Sequence, residues 1–100
     1  MPYFVFFGVD KPGVEATRLR VRPAHQARLR EEHPGARVVA AGALTDDADE
    51  HLNGTLLVFE ADGREAVERM MAGDPYVVEQ IFARTEIRAW HWVIGKPLLA

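Results

Sequence analysis

At 100 residues with no cysteine, the chain is the size of one domain and excludes disulfides, thiolate metal sites and a cysteine nucleophile. Its 48% apolar and 27% charged content is ordinary for a globular protein, and a formal net charge of −3 argues against a general binder of nucleic acid, whose affinity rests on neutralising phosphates. The opening MPYFVFFGVD has no Lys or Arg before its apolar run and an Asp after it, which fits neither a signal peptide nor a bilayer span, so the expectation is a cytoplasmic protein, residues 1–100 forming one domain with no membrane partner.

Tyr3 to Val9, YFVFFGV, is aromatic and β-branched between Pro2 and DKPG, and reads as a strand apolar on both faces: Tyr3, Val5, Phe7 and Val9 on one, Phe4 and Phe6 on the other. A short turn or helical piece in EATRLR precedes Pro23, which sits best as the first residue of a helix PAHQARLREEH ending at His33-Pro34-Gly35. Ala36 to Leu44 and Thr55 to Ala61 read as neighbouring antiparallel strands, joined by TDDADEHLNG with its turn signal at Asn53-Gly54. REAVERMMAG spaces Ala66, Val67, Met70 and Met71 helically and stops at Gly73; DPYVVEQIFA then starts a second short helix. A last strand runs from about Thr85 to Gly95 and stops before Lys96-Pro97.

The order β-α-β-β-α-β with a split second helix predicts an α+β, ferredoxin-like antiparallel sheet. Helices cover one face of such a sheet, and here the other face is apolar as well. Two sheets packed face to face would cover it, so a homodimer of the dimeric α+β-barrel kind is expected, through Val5, Phe7 and Val38 or Val39.

His25 falls in the first turn if Pro23 starts its helix, where the helix dipole disfavours imidazolium and leaves a neutral ring able to accept a proton. Its bland alternative is a partly exposed histidine without a role. Asp74 before Pro75 reads from local sequence first as an N-cap, worth about 1 kcal/mol, with a carboxylate set beside a partner elsewhere in the chain as the alternative. The acidic loop Asp46, Asp47, Asp49, Glu50, His51 has Leu52 where a calcium loop needs glycine, and reads as a solvated hairpin tip. The four histidines have no zinc spacing, so no metal is expected. Among the basic residues Arg18, Arg20, Arg22, Arg28, Arg30 and Arg37, Arg22 lies one turn from His25 and is the best candidate for holding an anionic substrate; exposed, solubilising charges are the alternative. Trp90 and Trp92 share one face of the last strand without the basic residues an RNA-binding sheet needs.

These residues resemble the YciI-like (YCII-related) family. The resemblance runs along R-P-A-H (Arg22 to His25), G-A-L-T-D (Gly42 to Asp46), G-T-L-L-V-F-E-A (Gly54 to Ala61), M-A-G-D-P-Y-V (Met71 to Val77) and E-I-R-A-W (Glu86 to Trp90). It implies a ferredoxin-like fold in a dimeric barrel, with His25 and Asp74 as a pair facing one pocket. The family's best-known activity is a dehydrochlorinase acting on a chlorinated hydroxyhydroquinone. The expected function is therefore a small enzyme, needing no cofactor, that moves protons as a lyase or isomerase. His25 is its acid or base, Asp74 orients and stabilises the ring, and Arg22 and Tyr76 contact the substrate. A dimer that binds a small ligand without turnover is the alternative.

Overall fold

The sheet is organised by the alternation of its first strand. In the computed structural model, which describes residues 2–95, β1 (Tyr3–Asp10) buries Phe4, Phe6 and Gly8 and leaves Tyr3, Val5, Phe7 and Val9 half-buried on the opposite side. It pairs antiparallel with both β3 (Leu52–Ala61) and β4 (Phe82–Trp90), and β2 (Ala36–Thr45) completes the order β2-β3-β1-β4. With α1 (Glu15–Arg30) after β1, and α2 (Arg64–Ala72) and α3 (Pro75–Val78) between β3 and β4, the expected ferredoxin-like fold and its split second helix are both present.

The core forms where the buried face of β1 and β3 meets α2: Phe4, Phe6, Leu57 and Phe59 pack with Ala66, Val67, Met70 and Met71. The other face carries Tyr3, Val5 and Phe7 beside Glu60, Val58 and Leu56 of β3 and Trp90, Arg88 and Glu86 of β4. Leu56 and Trp90 are exposed there. Val38 pairs with Phe59 and packs against the core, so of the two valines named for the open face only Val39, at the β2 bulge, remains a candidate.

Four boundaries differ from expectation. α1 is one 16-residue helix with Pro23 inside it, so His25 lies in mid-helix and the dipole argument for its neutrality falls away. A helix-interior proline costs about 3 kcal/mol, and here anchors on both sides offset it: Arg18 is tied down before Pro23, and His25 and Arg28 after it. Leu19 and Pro23 are exposed, so water can take the Leu19 carbonyl that lost its donor. The β2–β3 turn is at Asp46–Glu50 rather than Asn53-Gly54; Asp46 Oδ1 accepts the N–H groups of Glu50 (2.8 Å) and His51 (3.3 Å). Gly54 lies inside β3, where a side chain would run into the Gly8 carbonyl. α3 stops at Val78 because Gln80 turns left-handed (φ 57°), and Phe82, read as helical, opens β4. That strand ends at Trp90, opposite Tyr3, because β1 offers no further partner. Trp92 therefore lies beyond the strand, although its ring stays against Trp90 (5.0 Å) and Tyr3 (5.4 Å). Lys96 and Pro97 lie outside the described residues.

Candidate active site

The site is built where α1 meets α3. His25 is buried, not partly exposed, and its Nδ1 lies 2.7 Å from Asp74 Oδ1. A carboxylate can only accept, so Nδ1 carries the hydrogen, and in a neutral ring Nε2 holds the free electron pair. The second oxygen of Asp74 accepts the Tyr76 backbone N–H at 3.0 Å, capping α3. Asp74 thus divides its two oxygens between the two roles considered for it. Because it also terminates the turn after Gly73, its position is held by the backbone rather than by a flexible stem.

Tyr76 stacks on the His25 ring with centroids 4.0 Å apart and 22° between planes. The guanidinium of Arg18 lies 4.4 Å from the centre of the Tyr76 ring. Burial pushes the Tyr76 hydroxyl above its ordinary value against the opposing pull of Arg18 and Arg22, so it keeps its proton at neutral pH. Arg18, only 2% exposed, is itself bound by Asp10 through Nε (2.7 Å) and Nη2 (2.8 Å), and by Thr55 Oγ1 (2.8 Å).

Arg18, His25, Thr55 and Tyr76 all line one cavity of about 160 Å³, walled on the other side by Ala41, Gly42 and Ala43. His25 Nε2 has no protein partner among the described residues, and no buried side-chain polar atom there is sealed off unpaired. Nε2 therefore opens onto the cavity. A basic nitrogen, a phenol and a guanidinium in one small space can remove a proton from a bound molecule and hold the charge that results. A larger apolar groove of about 430 Å³ lies between α2, α3 and β4, but none of these groups reaches it. Convergent polar chemistry, not size, marks the site.

Of the sequence candidates, the fold brings His25, Asp74 and Tyr76 together. Arg22 lines the same cavity but is exposed and makes no hydrogen bond among the described residues. Sequence reasoning named Arg18 among the basic residues but preferred Arg22, and missed the partners Asp10 and Thr55 that hold Arg18 at the site. The available signal was the spacing of Arg18, Arg22, His25 and Leu29, which is one face of a continuous helix and was hidden by treating Pro23 as a start.

The chain is thus a ferredoxin-like α+β fold with a buried histidine–carboxylate pair at a small cavity. The sequence matches the YCII-related domain over residues 2–91, and the chain belongs to that family. It is 29% identical to Protein YciI of Escherichia coli O6:H1 over 90 residues, covering 85% of this chain and 92% of that one. It is 30% identical to an uncharacterised protein of Haemophilus influenzae over 86 residues, covering 81% and 88%. Among solved structures it is similar to the 5-chloro-2-hydroxyhydroquinone dehydrochlorinase TftG of Burkholderia phenoliruptrix, in complex with 2,5-dihydroxybenzoquinone: TM-score 0.68, 26% identity, 89% of this chain and 93% of that one. An antibiotic biosynthesis monooxygenase shares the fold at TM-score 0.59 and 15% identity, covering 93% and 99%.

Proposed function

We propose that the protein is a small acid–base enzyme of the lyase or isomerase type, with His25 Nε2 as the proton acceptor and donor. Asp74 orients the imidazole through Nδ1 and stabilises its protonated form during the reaction. Tyr76 and Arg22 contact the substrate, Arg22 from the rim of the cavity. The observation that carries this reading is the 2.7 Å His25–Asp74 bond, buried on one side of the ring while Nε2 faces the cavity. The likeness to a dehydrochlorinase holding a small quinone supports a compact cyclic substrate of that general kind. The reading includes a homodimer closed through the apolar sheet face, and a cytoplasmic location.

The test is solvent exchange. Purified protein in deuterated water is incubated with a metabolite mixture that includes 2,5-dihydroxybenzoquinone, and loss of carbon-bound proton signals is followed by NMR. Exchange by the wild type that disappears in His25→Asn, whose amide can still donate to Asp74, is the expected result. Recovery of an unaltered, tightly bound small molecule with no exchange would instead make the protein a non-catalytic binder.

A further inference from the structure

The buried arginine has donors left over. A guanidinium carries five N–H bonds, and Arg18 commits three of them: Nε to Asp10, and Nη2 to Asp10 and Thr55. Its two Nη1–H bonds have no acceptor among the described residues. Since no buried side-chain polar atom there is sealed off without a partner, Nη1 reaches the cavity that Arg18 lines. The Tyr76 hydroxyl lines the same cavity and lies close enough to Arg18 to accept from it, which leaves the phenol's own O–H, without an acceptor among the described residues, as a donor into that space. Two donors and one base therefore share one space.

We propose that Arg18 Nη1 and the Tyr76 hydroxyl form an oxyanion-binding end of the cavity, selecting a small planar carbonyl or phenolic molecule whose oxygen bears negative charge during reaction. The inference rests on His25 as the base and deepens that reading. His25 Nε2 takes the proton of a C–H next to a carbonyl; the C–H electron pair becomes the C=C bond of an enolate, and the C=O pair moves onto oxygen. There the Arg18 and Tyr76 donors meet it. Where a further C=C is conjugated with that enolate, return of the proton from His25 to the far carbon of the dienolate, as the carbonyl re-forms, completes an isomerisation. Expulsion of an anionic leaving group from the next carbon, as the carbonyl re-forms, completes an elimination.

Three features fit this class. Asp10 neutralises Arg18 and fixes its plane, so the free donors are already aimed before a ligand arrives and nothing need reorganise during reaction. Tyr76 stays protonated at neutral pH and so remains a donor. The size also fits, since cavities of about 150 Å³ admit benzene, and this one measures about 160 Å³.

The probe is 4-nitrophenol, which ionises near neutrality and whose anion absorbs in the visible, with nitrobenzene as the same ring lacking the oxyanion. Both are titrated into the intact protein above the pH at which the phenol ionises. The wild type is expected to prefer 4-nitrophenolate. Arg18→Lys keeps a cation beside Asp10 but loses the planar fork, and should weaken phenolate binding roughly ten- to a hundredfold while leaving nitrobenzene unchanged. If that variant does not fold, Tyr76→Phe decides: it retains the ring stacked on His25, removes only the hydroxyl, and should lower the preference in the same direction. The readout is binding without turnover, so the oxyanion site can stand even if the solvent-exchange test fails. No preference in the wild type, or an unchanged preference in folded Arg18→Lys, overturns the inference and leaves His25 to be judged by exchange alone.

Discussion

At the scale of single residues, Asp74 carries the most, because its two oxygens serve a cap and a histidine at once. Asp74→Asn should separate them. If the amide oxygen keeps the Tyr76 N–H, the amide nitrogen faces His25 Nδ1 and forces the hydrogen onto Nε2, the wrong tautomer for a base. The expected outcome is stability within a few tenths of a kcal/mol by denaturant melts, with turnover lost. Asp74→Ala loses the cap, about 0.5–2 kcal/mol, and also orphans the buried Nδ1–H at a further cost of roughly 1–3 kcal/mol. An active Asn variant would leave Asp74 a cap and nothing more. His25 and Asp74 were legible in the sequence through the R-P-A-H and G-D-P-Y stretches, though not their 2.7 Å contact. Arg18 was not legible. Among many arginines in one region, only Asp10 of β1 and Thr55 of β3 single it out, and both are brought to it by the fold.

The elements show where local signals yield to tertiary contacts. Pro23 looks like a helix start, yet α1 runs through it because side chains on both flanks are anchored. Pro23→Ala restores the bond to the Leu19 carbonyl and gives up some rigidity of the unfolded chain. A net gain of about 1–2 kcal/mol in unfolding free energy is expected. A loss instead would mean that α1 needs the proline's shape. The hairpin tip was read correctly as acidic and polar, but its turn was placed too late, because Asn53-Gly54 is a strand segment where glycine allows close approach to Gly8. That tip is tied to α1 by Glu15, which accepts from the Leu52 N–H (2.8 Å) and contacts the His51 ring (3.0 Å). The bond to Glu15 raises His51 above its ordinary value of 6.5. Its contribution to stability is therefore full below that value and fades as pH rises through the raised one. An NMR titration should show His51 protonated beyond its ordinary range, and Glu15→Gln should return it there; no change in Glu15→Gln would refute the pairing.

For the whole molecule, the ferredoxin-like order was legible because each strand announces itself by composition and the helices fall between them. What local pattern could not settle was where β4 begins and ends, since Gln80 and the length of β1 decide it. The apolar outer face of Tyr3, Val5 and Phe7, with exposed Leu56 and Trp90 alongside, is the basis for expecting a homodimer. A stable contact there should bury more than about 1,000 Å² in total. Sedimentation should show a dimer at micromolar concentration and a monomer for Phe7→Asp, since burying an unpaired charge at the centre of such a face is costly. A monomeric wild type would remove the barrel from the account. Among the described residues no helix is long and apolar enough to cross a membrane.

In the proposed function, the fold presents a bare His25 Nε2 to the cavity. Nitrogen NMR of the imidazole in the intact wild-type protein, at a pH where the ring is neutral, reads this without any substrate. His25 is expected to carry its hydrogen on Nδ1 with Nε2 unprotonated, and the reverse is expected in Asp74→Asn. A wild-type ring with its hydrogen on Nε2 would contradict it.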